Sequence, residues 1–96
     1  MEVEILLYDG VEELDAIGPL DVLGGAGFDA RLVTLGESRS VTTAHGATFV
    51  AAAPLGAAPA LLVVPGGGYA SRSPRGAWAE ARRGVLPAAI AARFRS

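Results

Sequence analysis

A chain of 96 residues with a formal charge of −2 has room for one domain and a thin core. Folding at this length buries only about 60–65% of the extended-chain surface, yet 51% of the residues are hydrophobic, so an exposed apolar face of the kind that marks an interface is expected. The lack of cysteine excludes disulfides, thiolate metal sites and a cysteine nucleophile within this sequence, the lack of lysine excludes Schiff-base and P-loop lysine chemistry, and the acidic balance argues against a nucleic-acid surface.

Met1-Glu2-Val3-Glu4 runs straight into a strand pattern, without the basic and apolar regions of a signal peptide. No run reaches the ~18 apolar residues of a membrane span. The expectation is a cytoplasmic protein with no membrane partner.

Residues 3–8 are apolar and end at Asp9-Gly10, which predicts a buried strand closed by a turn. Over 11–23, Val11, Leu14, Ile17, Leu20 and Val22-Leu23 recur at near-helical spacing, and Glu12 and Glu13 suit a helix N-terminus. Gly18-Pro19 interrupts this stretch and predicts a kink or two pieces, with Pro19 opening the second. Gly24-Gly25-Ala26-Gly27 ends the helix. Residues 30–35 predict a second strand, and 41–43 with 48–50 a hairpin around 44–47. The Ala/Gly/Pro segment 54–59 reads as a loop. The continuous apolar run 60–64 has the pattern of a central parallel strand, cut off by Pro65-Gly66-Gly67-Gly68. Two helices follow, over 75–83 with Trp78, and over 87–94 with Pro87 as first residue.

This order is a βαβ pattern with an inserted ribbon, hence right-handed crossovers and a parallel sheet. Ligands in such sheets sit at the carboxyl ends of the strands. Here those ends are Tyr8-Asp9-Gly10, Leu35-Gly36-Glu37 and Val64 to Gly68.

Gly66-Gly67-Gly68 follows a buried strand. Without Cβ atoms the backbone can approach a ligand and aim N–H groups at an anion or oxyanion, or it simply makes a tight turn that needs positive φ. Asp15 lies among apolar neighbours in Leu14-Asp15-Ala16-Ile17-Gly18-Pro19. Desolvation there would raise a carboxyl pKa and suit a general acid or base, the plainer reading being a helix-cap or exposed carboxylate. His45 reads as solvated at the hairpin tip, and Tyr69 as a pocket wall or a cover for the sheet edge. Trp78 with Leu86, Ile90 and Phe94 reads as packing, and Arg82-Arg83 as a solvated helix face. Ser38, Ser40, Ser71 and Ser73 lack the context of a nucleophile elbow.

The stretch from Leu6 to Leu23, with Leu14-Asp15-Ala16-Ile17-Gly18-Pro19 inside it, resembles the opening of the ThiJ/PfpI superfamily, the class I glutamine-amidotransferase-like fold. The similarity extends through Phe28 to Thr34, the ribbon with Gly46, and Leu62 to Gly68, or roughly the first 70 residues. It is strongest toward the branch of isonitrile hydratases and the amidase-like domains of AraC-type regulators. The resemblance implies a flavodoxin-like α/β domain over 1–96, a parallel sheet flanked by helices with a small hairpin insertion, usually homodimeric. It implies that Asp15 is the acid/base group, that Gly66, Gly67 and Gly68 form an oxyanion or ligand-binding turn, and that Gly18, Pro19 and Tyr69 line the pocket. No cofactor and no metal are implied.

The family's nucleophile is a cysteine on a strand-to-helix elbow, and this sequence ends before that strand would begin. The first expectation is therefore an N-terminal part of such a protein, of hydratase- or amidase-like ancestry and inactive alone. A second is a small-molecule sensor module like the ligand domain of AraC-type regulators. A third is one subunit of a split cysteine enzyme. The partners expected are a small-molecule ligand and either a second copy of the chain or a complementing chain.

Overall fold

The structure, a computed structural model, describes residues 1–56, 60–67 and 91. The helices expected over 75–83 and 87–94, and the candidates Gly68 and Tyr69, fall outside the described residues, apart from Ala91, which is helical.

Strand β1 (Glu2–Leu7) is the spine of the sheet. Val3, Ile5, Leu6 and Leu7 are fully buried, so both faces of the strand are covered, as its unbroken apolar run demands. Strand β2 (Asp29–Thr34) lies parallel to one side of β1. Two short strands complete the layer, β5 (Ala53–Pro54) beside β2 and β6 (Leu61–Val63) beside β1. The order is β5-β2-β1-β6, all parallel, with Ile5 opposite Leu32 on one side and Val63 on the other. Chain order reverses at β1, so the boundary between β1 and β6 is the switch point where such sheets open a crevice.

Helix α1 (Glu13–Gly25) crosses from β1 to β2. Of the kink or two pieces that Gly18-Pro19 predicts, the two pieces do not form: α1 is one continuous helix with Pro19 inside it. The reason is local. The residue before a proline is normally driven out of helical geometry by a clash that involves its Cβ. Gly18 has no Cβ, so the clash is relieved. Pro19 withdraws the helical donor from the carbonyl of Asp15, and Asp15 is exposed to water that can replace it. The helix ends in a Schellman motif. Phe28 N–H donates to Leu23 O at 3.1 Å, and Gly27 N–H to Gly24 O at 3.2 Å. Gly27 takes the left-handed φ of 95° that this cap requires. Leu23 and Phe28, the pair that flanks such a cap, both pack on the core.

Strands β3 (Ser40–Thr42) and β4 (Thr48–Val50) form the expected antiparallel ribbon, separate from the main sheet. Its loop is closed by Thr43 N–H to Ala47 O at 2.8 Å and Ala47 N–H to Thr43 Oγ1 at 2.9 Å.

Two strand expectations change. Segment 54–59 was read as a loop, yet its first residue ends β5, because Leu55 N–H donates to Thr34 O and Ala52 N–H to Leu32 O. Proline is tolerated there because β5 is an edge. The run 60–64 was read as central, yet β6 stands at the margin of the described sheet, with Leu61 and Val64 exposed. Among the described residues no helix is long and apolar enough to cross a membrane.

Candidate functional site

The connection between β1 and α1 is held on both flanks. Gly10 turns the chain with φ of 89°, and Val11 N–H closes the turn on Tyr8 O at 3.1 Å. On the ribbon side, Gly10 N–H donates to Thr42 O at 2.8 Å and Ala44 N–H to Val11 O at 2.8 Å. Thr42 N–H returns a bond to Asp9 Oδ1 at 3.0 Å. On the β6 side, Glu12 N–H donates to Gly66 O at 2.8 Å, and Val11 forms an antiparallel bridge with Gly67. The buried Tyr8 hydroxyl donates to Pro65 O. The start of α1 and the glycine turn after β6 are thereby fixed to each other at the switch point.

Gly67 has to be glycine here. A Cβ at this position would lie 2.5 Å from Gly10 O and 2.7 Å from Glu12 N and Val11 Cα, all of them backbone atoms that cannot step aside. Gly67 N–H meets no backbone acceptor among the described residues. Glycine N–H groups at a strand's carboxyl end are able to face an anion or oxyanion where a ligand reaches them.

Asp15 lies one helical turn from this bond, its N–H donating to Glu12 O at 3.1 Å. Its side chain is exposed, so the apolar enclosure suggested by the sequence is not present around it. The apolar neighbours turn elsewhere: Leu14 and Ile17 are exposed on another part of α1, and Ala16 faces the core. Gly18 lines a groove of about 550 Å³ with Leu14, Ile17, Leu20, Asp21, Gly24 and Gly25. Pro19 and Asp15 do not line it.

His45 is solvent-exposed at the ribbon loop, as expected, but it has partners. The ribbon folds back over the start of α1 and places His45 Nδ1 3.0 Å from Glu13 Oε1 and 3.7 Å from Glu12 Oε2. The hydrogen bond from His45 pulls the Glu13 carboxyl down to about 2. The same bond, followed by the charges of Glu13 and Glu12, pushes the His45 pKa up. Glu12, Glu13 and His45 each bring a ligand atom within 4.8 Å of the others, the spacing of a cation site, although the imidazole here is engaged with Glu13. Sequence reasoning missed this cluster. Its partners are 32 residues apart and meet only because the ribbon docks on Gly10 and Val11.

The DJ-1/PfpI family profile matches residues 1–81. Among solved structures, the chain is similar to a cysteine-to-alanine mutant of the DJ-1 superfamily protein STM1931 from Salmonella typhimurium. The identity is 34% and the TM-score 0.60, covering 69% of this chain and 38% of that one. A THiJ/PfpI family protein from Pseudomonas syringae shares 25% identity with a TM-score of 0.72, covering 96% of this chain and 37% of that one. Oxidized DJ-1 from Toxoplasma gondii, at 20% identity and a TM-score of 0.68, shares the fold, covering 97% of this chain and 47% of that one. The 96 residues thus span less than half the length of each of these chains. No curated protein matches the sequence.

Proposed function

Because the chain belongs to the DJ-1/PfpI family, we propose that it supplies the acid and the oxyanion turn of a family-type site at the carboxyl ends of β1 and β6. Asp15 is the acid/base group, and Gly66-Gly67, with Gly68 after them, is the turn that receives a developing negative charge. Hydratase- or amidase-like ancestry, on the isonitrile-hydratase side of the family, is the finer assignment. The observation that carries the reading is the Glu12–Gly66 bond at 2.8 Å. It fixes the first turn of α1, where Asp15 resides, against a glycine turn whose Gly67 N–H has no backbone acceptor among the described residues.

Covalent chemistry of this family's kind needs a thiolate, and none of these 96 residues is cysteine. The chain by itself therefore binds but does not turn over. The test is an assay of the purified 96-residue chain with isonitriles, amides and glyoxals. The reading predicts rates at the uncatalysed background for all three, and sustained turnover of any of them overturns it.

The same lack of cysteine favours a second reading, a ligand-binding or sensor module with no catalytic step. A melting shift with a small ligand that survives Asp15→Asn supports this second reading. Loss of that shift in Asp15→Asn returns the assignment to the acid-bearing site. The third, a subunit of a split enzyme, predicts that pulldown from cells returns a chain carrying the family's cysteine elbow.

A further inference from the structure

Glu12, Glu13 and His45 form a cluster of metal-ligating groups that the family-type site does not use. Glu12 caps the start of α1, and Glu13 is its first residue. His45 arrives from the ribbon loop, 32 residues along the chain from Glu13. The cluster therefore joins two elements and brings one nitrogen donor to two carboxylates.

The donor atoms are spaced for a single ion. His45 Nδ1 lies 3.0 Å from Glu13 Oε1 and 3.7 Å from Glu12 Oε2, and all three atoms fall within 4.8 Å of one another. Zinc holds nitrogen and oxygen ligands at about 2.0–2.1 Å in a tetrahedral array, which sets neighbouring donors roughly 3.3 Å apart. The two imidazole distances bracket that value. The carboxylates are also held in place, unlike loose surface acids. Glu12 Oε1 accepts Leu14 N–H at 3.4 Å, and its other oxygen faces His45. Glu13 is hydrogen-bonded by the side chain of Thr43, a residue only 4% exposed, and Thr43 Oγ1 accepts Ala47 N–H at 2.9 Å. Such partners behind ligating carboxylates fix their orientation. Glu12 and Glu13 are half-buried and His45 is exposed, so an ion reaches the donors from solution.

We infer that Glu12, Glu13 and His45 bind a divalent transition-metal ion of the zinc class, which clips the ribbon to the start of α1. The ion takes the place of the proton on His45 Nδ1, and water completes its coordination. The imidazole among the donors favours zinc over magnesium and calcium, which take oxygen ligands. The three donors meet only in the folded chain, so bound zinc adds stability that grows with its concentration. This site does not depend on the roles proposed for Asp15 and the glycine turn.

The test is calorimetric titration of the metal-stripped 96-residue chain with zinc chloride, beside magnesium and calcium chloride, with thermal melts at each zinc concentration. One zinc per chain and a melting temperature that climbs with zinc are expected. His45→Gln weakens zinc binding about tenfold or more. Glu12→Gln, which leaves the His45–Glu13 bond in place, does the same without lowering the metal-free melt. Glu37→Gln, at an exposed acid away from the cluster, leaves zinc binding unchanged. Absence of zinc binding in the unmodified chain overturns the inference. So does zinc bound equally well by His45→Gln or Glu12→Gln, which is adventitious binding only. Magnesium or calcium held as tightly as zinc overturns it as well, because the imidazole then plays no part.

Discussion

At the scale of single residues, the His45–Glu13 pair makes the docking of the ribbon depend on pH. The hydrogen bond between them lowers Glu13 to about 2 from an ordinary 4.5, so its contribution is present above pH 4.5 and is lost as pH falls toward 2. His45 is raised above its ordinary 6.5, so its contribution is present below pH 6.5 and is lost as pH climbs through the raised value. The pair therefore favours the docked ribbon most between about 4.5 and 6.5. Following Glu13 and His45 by NMR against pH should show both displaced titrations, and His45→Gln should return Glu13 toward its ordinary range. An unchanged Glu13 in that variant would contradict the pairing.

Gly67 gives a stability prediction at the same scale. With backbone atoms 2.5–2.7 Å from any added Cβ, Gly67→Ala must shift the glycine turn or the β1–α1 connection. Overpacking of this kind costs about 1–3 kcal/mol, readable as a lower urea midpoint. Asp15→Asn, on an exposed helix position, should move stability by less than about 1 kcal/mol.

Among elements, α1 packs on the core through Ala16, Leu20 and Leu23 and is closed at its carboxyl end by the Schellman motif. The Schellman closure at Gly27 demands left-handed backbone, and an L-residue there costs about 1–2 kcal/mol. Gly27→Ala should lower thermal stability by that amount, and an unchanged melt would mean that the cap is frayed in solution. The sequence showed this end plainly, because four residues containing three glycines after an apolar helix have few other uses. At the middle of the helix, where a kink or two pieces are expected, the helix does not divide. A proline disturbs the residue before it partly through that residue's Cβ, and Gly18 has none, so the helix runs through Pro19 undivided. The sequence did not reveal β5, since two residues paired through Val33–Ala53 and Thr34–Pro54 have no periodicity to detect. The candidate site was legible in part. Pro65-Gly66-Gly67 and the acidic opening of α1 stand out as motifs. His45 does not, because its significance lies in contacts made across a long sequence separation.

For the whole molecule, the dominant feature is apolar surface left uncovered. Leu14 and Val22 on α1 are 73% and 69% exposed, and Ile17 is exposed between them. Leu14 and Ile17 border the groove around Gly18, and exposed apolar side chains of this kind are what a protein interface covers. We propose that the chain self-associates through this face of α1. Sedimentation velocity should show a dimer, with Val22→Glu shifting it to monomer, and a monomer at every concentration would contradict the proposal.

We propose that the glycine turn after β6 presents an anion site beside the first turn of α1. The decisive experiment is an acetate titration of the ¹⁵N-labelled chain read at the Gly67 amide. A saturable shift at Gly67 is expected, spreading to Gly66 and Glu12 and tightening in Asp15→Asn, which removes a negative charge from α1. A Gly67 amide that does not respond at any acetate concentration would show that the turn serves only to join β6 to α1.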